Sequence, residues 1–439
     1  MSTTRKKRRL NNGAAEESDA KGLPPAFPGS ALSSATPADK SRWQGFCEID
    51  SDPAYFSVML EEFGVRGIRV REVYSLDADI LAFLPRPIHG LIFLFKYRAD
   101  DATKQEASCP DHVWFANQTH DQACATVALL NIVNNIDGAD LGEHLQSFRD
   151  FTDDFTPALR GDAIGSFEFV KNVHNSFARK MDMLNIDLAR QNAYDDRNKK
   201  RKKPTAAAKS KGSKKKGVIT DDDYDEEENG YHFIAFVPIG NEVWKMDGLE
   251  RQPVKLGTLG SDEESDWLSL VLVDLGERMA QFEANDINFN LLACVQDPLV
   301  GLHQQLREQT RAIQAVEKKL DEDRPRGWRR DDSNQEADIE IELAGDDNEN
   351  TGDDQFSTRF EQRIHDAGAD GEALFKLRQA LLGERRDTLA AVAGEEAEAQ
   401  LDRDKAAERR HDFGPLIHAW LRMLAEKEGV VKSLIEETS

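Results

Sequence analysis

Cysteine is scarce in this chain: four in 439 residues, at Cys47, Cys109, Cys124 and Cys294. That excludes a disulfide-built scaffold and fits a reducing compartment. Long apolar runs are missing too. The most apolar stretch, Ile88–Phe95, is strand-sized and well short of the ~20 residues a membrane helix needs. No apolar signal region opens the sequence, so secretion is not expected. Positive charge is in deficit, with 57 Lys and Arg against 81 Asp and Glu and a net charge of −24. This argues against a general nucleic-acid binder and fits a partner with a basic approach surface. With 39% hydrophobic and 31% charged residues, the composition suits one soluble domain of about 250 residues, an extension, and long solvated segments.

What is present is organised around Trp114–Leu130. The stretch runs from an apolar, strand-like segment through the polar turn Asn117-Gln118-Thr119-His120-Asp121-Gln122 into an apolar run of helical spacing. Cys124 falls in the first turn of that helix. Unpaired backbone N–H groups and the helix dipole favour negative charge there, which draws a sulfur toward the thiolate. Six residues upstream, Gln118 can offer its amide N–H to an oxyanion forming at an attacked carbonyl. A free cysteine in such a helix is equally suited to core packing, so the second stretch matters.

That stretch, Gly230–Leu249, reads as two strands joined by a tight turn at Gly240-Asn241. His232 opens the first strand and Asp247 closes the second. A hairpin in that register can bring the two side chains together, the acid orienting the imidazole and the imidazole serving Cys124. Read apart, His232 is a strand-end histidine and Asp247-Gly248 is turn chemistry.

Taken together, Gln118…Cys124-Ala125-Thr126, Tyr231-His232-Phe233…Val237-Pro238 and Asp247-Gly248-Leu249 resemble the ubiquitin C-terminal hydrolase family of cysteine peptidases, of the larger type with a C-terminal helical extension. His174-Asn175-Ser176-Phe177-Ala178-Arg179 resembles the family's segment before its active-site crossover loop. The resemblance implies an α+β, papain-like fold with a central, mostly antiparallel sheet flanked by helices. It implies Cys124 as nucleophile, His232 as general base and acid, Asp247 as orienter and Gln118 as oxyanion donor. The substrate implied is ubiquitin on its adducts. A ubiquitin-like modifier as substrate, or a non-catalytic scaffold with the same fold, are the alternatives.

The resemblance sets the catalytic domain at residues 42–298. Before it, residues 1–41 are polar and expected to be disordered. Their Arg5-Lys6-Lys7-Arg8-Arg9 cluster is of nuclear-import type, so nucleus and cytoplasm are the expected locations. Ile164, Phe167, Val170, Val173 and Phe177 predict one core-facing helix over Gly161–Arg179. Residues 187–230 hold blocks of like charge and are expected to be a disordered insertion. They occupy the crossover position, where a connection of about 45 residues would admit bulky ubiquitin adducts at little extra entropic cost.

Cys109, His112, His120 and Cys124 have ligand types for zinc. The first pair runs directly into a strand-like segment and the second straddles a helix start, so neither metal nor cofactor is expected. The glycosylation sequon Asn117-Gln118-Thr119 is idle in a reducing compartment.

Residues 299–439 read as a helical extension. Leu299, Leu302, Leu306, Ile313, Val316 and Leu320 make a heptad seam, with Gln309 in line, suited to a later helix, a partner or the catalytic domain. Residues 321–354 are expected to be an acidic disordered insertion. Residues 411–436 resemble the family's terminal helical domain, with Phe413, Ile417, Trp420, Leu421 and Leu424 on one face. In the family this domain binds a regulatory scaffold on the proteasome or a chromatin complex. The sequence stops at Ser439 without the basic tail of proteasome-associated members, which speaks against docking on the proteasome.

Overall fold

The structure, a computed structural model, describes residues 33–96, 102–202, 230–260, 266–282, 289–323, 358–368 and 370–426. The basic cluster Arg5–Arg9 and nearly all of the acidic segment expected over 321–354 lie outside the described residues.

A six-stranded sheet lies at the centre, every pairing antiparallel: β1 (Ile68–Glu72), β6 (Asn290–Gln296), β2 (Ile88–Lys96), β3 (Tyr231–Ile239), β4 (Glu242–Met246) and β5 (Val254–Thr258), in that spatial order. The central strands are apolar on both faces because both faces are covered. Leu91, Phe93 and Phe95 of β2 join Ile234 and Phe236 of β3 in a layer beneath α9 (Leu268–Phe282). Ile92 joins Phe233, Ala235 and Val237 in the opposite layer, beneath α4 (Cys124–Val133) and α2 (Pro53–Phe63). Apart from Cys124 every residue of α4 is buried. It lies close to the sheet at Gly90, where a Cβ would come within 2.8 Å of the Ile132 side chain.

Four boundaries differ from the sequence expectation. The tail expected over 1–41 already contains α1 (Pro37–Arg42), started by a capping box between Thr36 and Asp39. The single helix expected over 161–179 is two, α6 (Pro157–Ser166) and α7 (Glu168–Asn175). The chain turns at Phe167 with φ −83° and ψ 94°, and its ring stacks on Phe148 of α5 (Gly142–Thr152). The insertion expected from 187 is helical to Lys202, as α8 (Lys180–Lys202). Met183 and Ile186 pack on the core, Trp43 Nε1 donates to Asp187, and Arg190 pairs with Asp121 at 3.4 Å, which carries the helix past the point where its composition turns polar. The acidic insertion expected from 321 is helical in its first residues, since α10 (Pro298–Asp323) runs through them.

Residues 35–411 form one unit, and the region from Asp412 is described by itself. Within the first unit the seam of α10 finds its partner in the same chain. Gln309 donates to Thr388, and Glu317 accepts from Arg378, so α10 and α12 (Gly371–Arg410) run antiparallel. Ile313, Val316 and Leu320 pack there against Leu374 and Leu381, with Phe360 and Ile364 of α11 (Thr358–Ala367) closing the cluster.

The far half of α12 crosses the edge strand β1. Arg69 is 6% exposed and its guanidinium meets Glu395 at 3.1 Å and Asp402 at 2.9 Å. Arg71 pairs with Glu395 and Glu398. Beyond them Lys405 meets Asp52, Arg403 meets Glu61, Arg410 meets Glu62, and Arg409 meets Asp50 and the Phe177 carbonyl. The outward N–H and C=O of Val70 are taken by the Ser57 hydroxyl of α2. A free strand edge is a template for pairing with other chains; here a hydroxyl, two arginines and a helix close it.

Candidate active site

The segment leading to Cys124 is extended from Val113 to Asn117 without belonging to the sheet. Its backbone is satisfied by side chains. Asn135 accepts from Trp114 N–H at 2.8 Å and donates to Trp114 C=O at 2.7 Å, and Asn131, one turn earlier on α4, does the same for Ala116. Buried Arg160 donates to the carbonyls of Val113 and Phe115. Two asparagines four apart thus act as one rung each of a β ladder, tying this segment to the helix that carries Cys124.

Between the segment and the helix lies the loop Gln118–Ala123. Gln118 donates its backbone N–H to Gly248 O at 2.7 Å, and its amide oxygen is buried with no hydrogen-bond partner. Gln122 has φ 64°, the one non-glycine residue with positive φ among those described. A strained backbone costs of order 1 kcal/mol or more and persists only where packing enforces it. Here it precedes Cys124 by two positions and turns the chain into α4, whose first residue, half-buried, is that cysteine.

Cross-strand register brings the second half of the site to it. Ala235 pairs with Met246, so the ladder carried one step further sets Asp247 opposite Ile234 and diagonal to His232. His232 Nε2 lies 2.7 Å from Asp247 Oδ1, and both residues are buried. The same oxygen accepts from Leu249 N–H at 2.9 Å. The Cys124 sulfur is within hydrogen-bonding reach of the His232 ring, which leaves Nδ1 as the nitrogen facing it. Burial opposes charge on the ring, but hydrogen bonds and charge from Asp247 and Cys124 outweigh it and push His232 up to about 9. The ring therefore holds its proton at neutral pH.

A second histidine braces the helix that carries Cys124. His174, fully buried on α7, accepts from the Thr126 hydroxyl at Nδ1 (2.7 Å) and donates from Nε2 to Cys47 O (2.7 Å). Burial pushes it down to about 4, so the ring is neutral and its tautomer fixed by these two bonds. The sequence singled out the motif containing His174 without indicating this role. Gln122 and the Asn131–Asn135 pair were missed too; their residue types carry no signal for a left-handed backbone or for satisfying a lone strand.

The four residues with zinc-ligand chemistry have separate neighbourhoods. His112 pairs with Glu242, His120 with Thr119, Cys109 with Val113 O, and Cys124 with His232. Among the described residues no three ligand-type side chains are placed to hold one metal ion.

Comparison with known proteins gives the same direction. Residues 46–280 match the model of the family described as ubiquitin carboxyl-terminal hydrolase, family 1. The Caenorhabditis elegans ubiquitin carboxyl-terminal hydrolase ubh-4 is 34% identical over 259 residues, covering 58% of this chain and 68% of its own. The Dictyostelium discoideum ubiquitin carboxyl-terminal hydrolase isozyme L5 is 28% identical over 394 residues, covering 88% of this chain and 93% of its own. A crystal structure of Trichinella spiralis UCH37 bound to ubiquitin vinyl methyl ester covers 61% of this chain and 89% of that one, at 28% identity and a TM-score of 0.44. With a buried His–Asp pair beside a half-buried cysteine at the start of a core helix, and more than half of its length matched, the chain belongs to the ubiquitin carboxyl-terminal hydrolases, family 1, the thiol-dependent deubiquitinases.

Proposed function

We propose that Cys124, His232, Asp247 and Gln118 carry hydrolysis at the C-terminal glycine of ubiquitin. The observation supporting this assignment is the His232 ring, bonded through Nε2 to Asp247 and within reach of the Cys124 sulfur on its other side. The Cys124 thiolate adds to the carbonyl carbon, and the oxygen takes the electron pair of the C=O π bond. The Gln118 amide and the Cys124 backbone N–H stabilise that oxyanion. His232 passes its proton to the leaving amine as the C–N bond breaks and a thioester forms. The neutral ring then takes a proton from water, whose oxygen attacks the thioester, and the sulfur leaves as thiolate.

Ubiquitin carrying a C-terminal electrophile tests the assignment directly. One adduct is expected, mapped to Cys124 by peptide mass. An adduct at another cysteine would overturn the residue assignment. Reaction only with probes built on ubiquitin-like modifiers would overturn the substrate.

We further propose that α13 (Gly414–Glu426) docks a regulatory scaffold, of a chromatin complex rather than of the proteasome. Leu416, Ile417, Trp420 and Leu421 are more than half exposed on it, a density of bare apolar side chains that marks interaction surfaces. Trp420→Asp is expected to weaken association with the complex by about 2 kcal/mol or more while basal hydrolysis is kept. Co-purification at the unsubstituted level would sink the idea.

A further inference from the structure

Asn117 touches three parts of the site at once. Its backbone N–H donates to Pro157 O, at the first residue of α6, over 2.9 Å. Its side-chain Nδ2 donates to Glu250 O at 2.6 Å and to Gly248 O at 3.3 Å, in the turn that begins at Asp247. This is the atom that the sequon would offer for glycosylation, and it is already engaged. Its own carbonyl is seated on α6 at Gly161, where a Cβ would come within 2.1 Å of that oxygen. One turn further on, a Cβ at Gly165 would come within 2.0 Å of the His120 ring in the same loop. Directly after Asn117, Gln118 makes its own backbone bond to Gly248 O.

We infer that Asn117 is a positioning residue for the reaction. It holds the amide of Gln118 and the carboxylate of Asp247 in one frame, and Gly161 fixes where that frame sits. An oxyanion donor must lie within 2.7–3.1 Å of where the negative oxygen develops, so a displacement of a few tenths of an ångström in this loop falls on the transition state rather than on substrate binding. Asn117→Asp keeps the shape but turns the N–H donors into an oxygen facing two carbonyls. Gly161→Ala pushes the Asn117 carbonyl from the α6 side and leaves the Asn117 side chain unchanged. A staple that only stabilises the fold would lower stability and leave the chemistry of each folded molecule intact.

The inference rests on the catalytic assignment above, and the experiment separates the two. In the full chain, hydrolysis of a ubiquitin C-terminal coumarin amide is measured alongside affinity for ubiquitin aldehyde, whose carbonyl carbon bonds the sulfur to give a tetrahedral adduct. Urea unfolding gives the folded fraction of each variant. Asn117→Asp and Gly161→Ala are each expected to lower kcat by about tenfold or more, with KM within about twofold, and to weaken the aldehyde by the same factor. Ubiquitin binding in a Cys124→Ala background is expected to be unchanged by either. A kcat per folded molecule within about twofold of the unsubstituted chain in both variants would overturn the inference. So would a loss of kcat with aldehyde affinity intact, or an effect on KM alone. Persistent turnover by Cys124→Ala would instead overturn the assignment on which the inference stands.

Discussion

Asp247→Asn is expected to lower kcat for a ubiquitin C-terminal amide by on the order of 10³–10⁴-fold, with KM little changed. One carboxylate oxygen accepts from both His232 Nε2–H and Leu249 N–H, while the other is buried with no hydrogen-bond partner. The asparagine therefore keeps its oxygen on the two donors and places its NH₂ where the bare oxygen was. Geometry survives and charge does not. His232 is 4% exposed, and a buried imidazolium without its counter-charge loses its proton. The ring then no longer presents an imidazolium to the Cys124 sulfur. Alkylation of Cys124 by a small reagent such as iodoacetamide is expected to slow in parallel, which separates this effect from any change in ubiquitin binding. A kcat within about tenfold of the unsubstituted enzyme would refute the role given to Asp247.

The two buried histidines predict a stability maximum near pH 6.5. His174 is held near 4 when folded, against 6.5 for the free ring. Its contribution is fully present above 6.5 and is lost as pH falls toward 4, because the unfolded chain gains a proton that the folded one refuses. The gap corresponds to about 3 kcal/mol. His232 is shifted the other way, to about 9. Its contribution is fully present below 6.5 and is lost as pH rises through 9, again by about 3 kcal/mol. Urea unfolding at pH 4.5, 6.5 and 9 should show stability falling on both sides. His174→Gln should flatten the acid side and Asp247→Asn the basic side. Equal slopes in the variants and the unsubstituted chain would dismiss the histidines as the source.

Alternation made the hairpin legible. Two short apolar strands with Gly240-Asn241 between them fix a register, and the register alone sets Asp247 diagonal to His232. The helix after Cys124 was legible for a similar reason, an unbroken apolar run bounded by a polar turn. What escaped depends on partners far away in the chain. Composition stops α8 at about 187, but Trp43 and Asp121 hold it in place further on. Helical periodicity runs straight through Phe167, and only the stack on Phe148 shows why the chain turns there. The extended segment before Cys124 reads as a strand. That asparagines rather than a neighbouring strand complete it is a matter of tertiary packing, which residue type does not encode.

The order of synthesis gives the closure of β1 a further meaning. Ile68–Glu72 emerges from the ribosome more than three hundred residues before Glu395, Glu398 and Asp402, the acids that neutralise Arg69 and Arg71. Until then Arg69 and Arg71 stand on that border without these acids. Those charges repel a second nascent copy of the same border and discourage premature association. The arginines that later anchor the finished fold would thus guard the unfinished one.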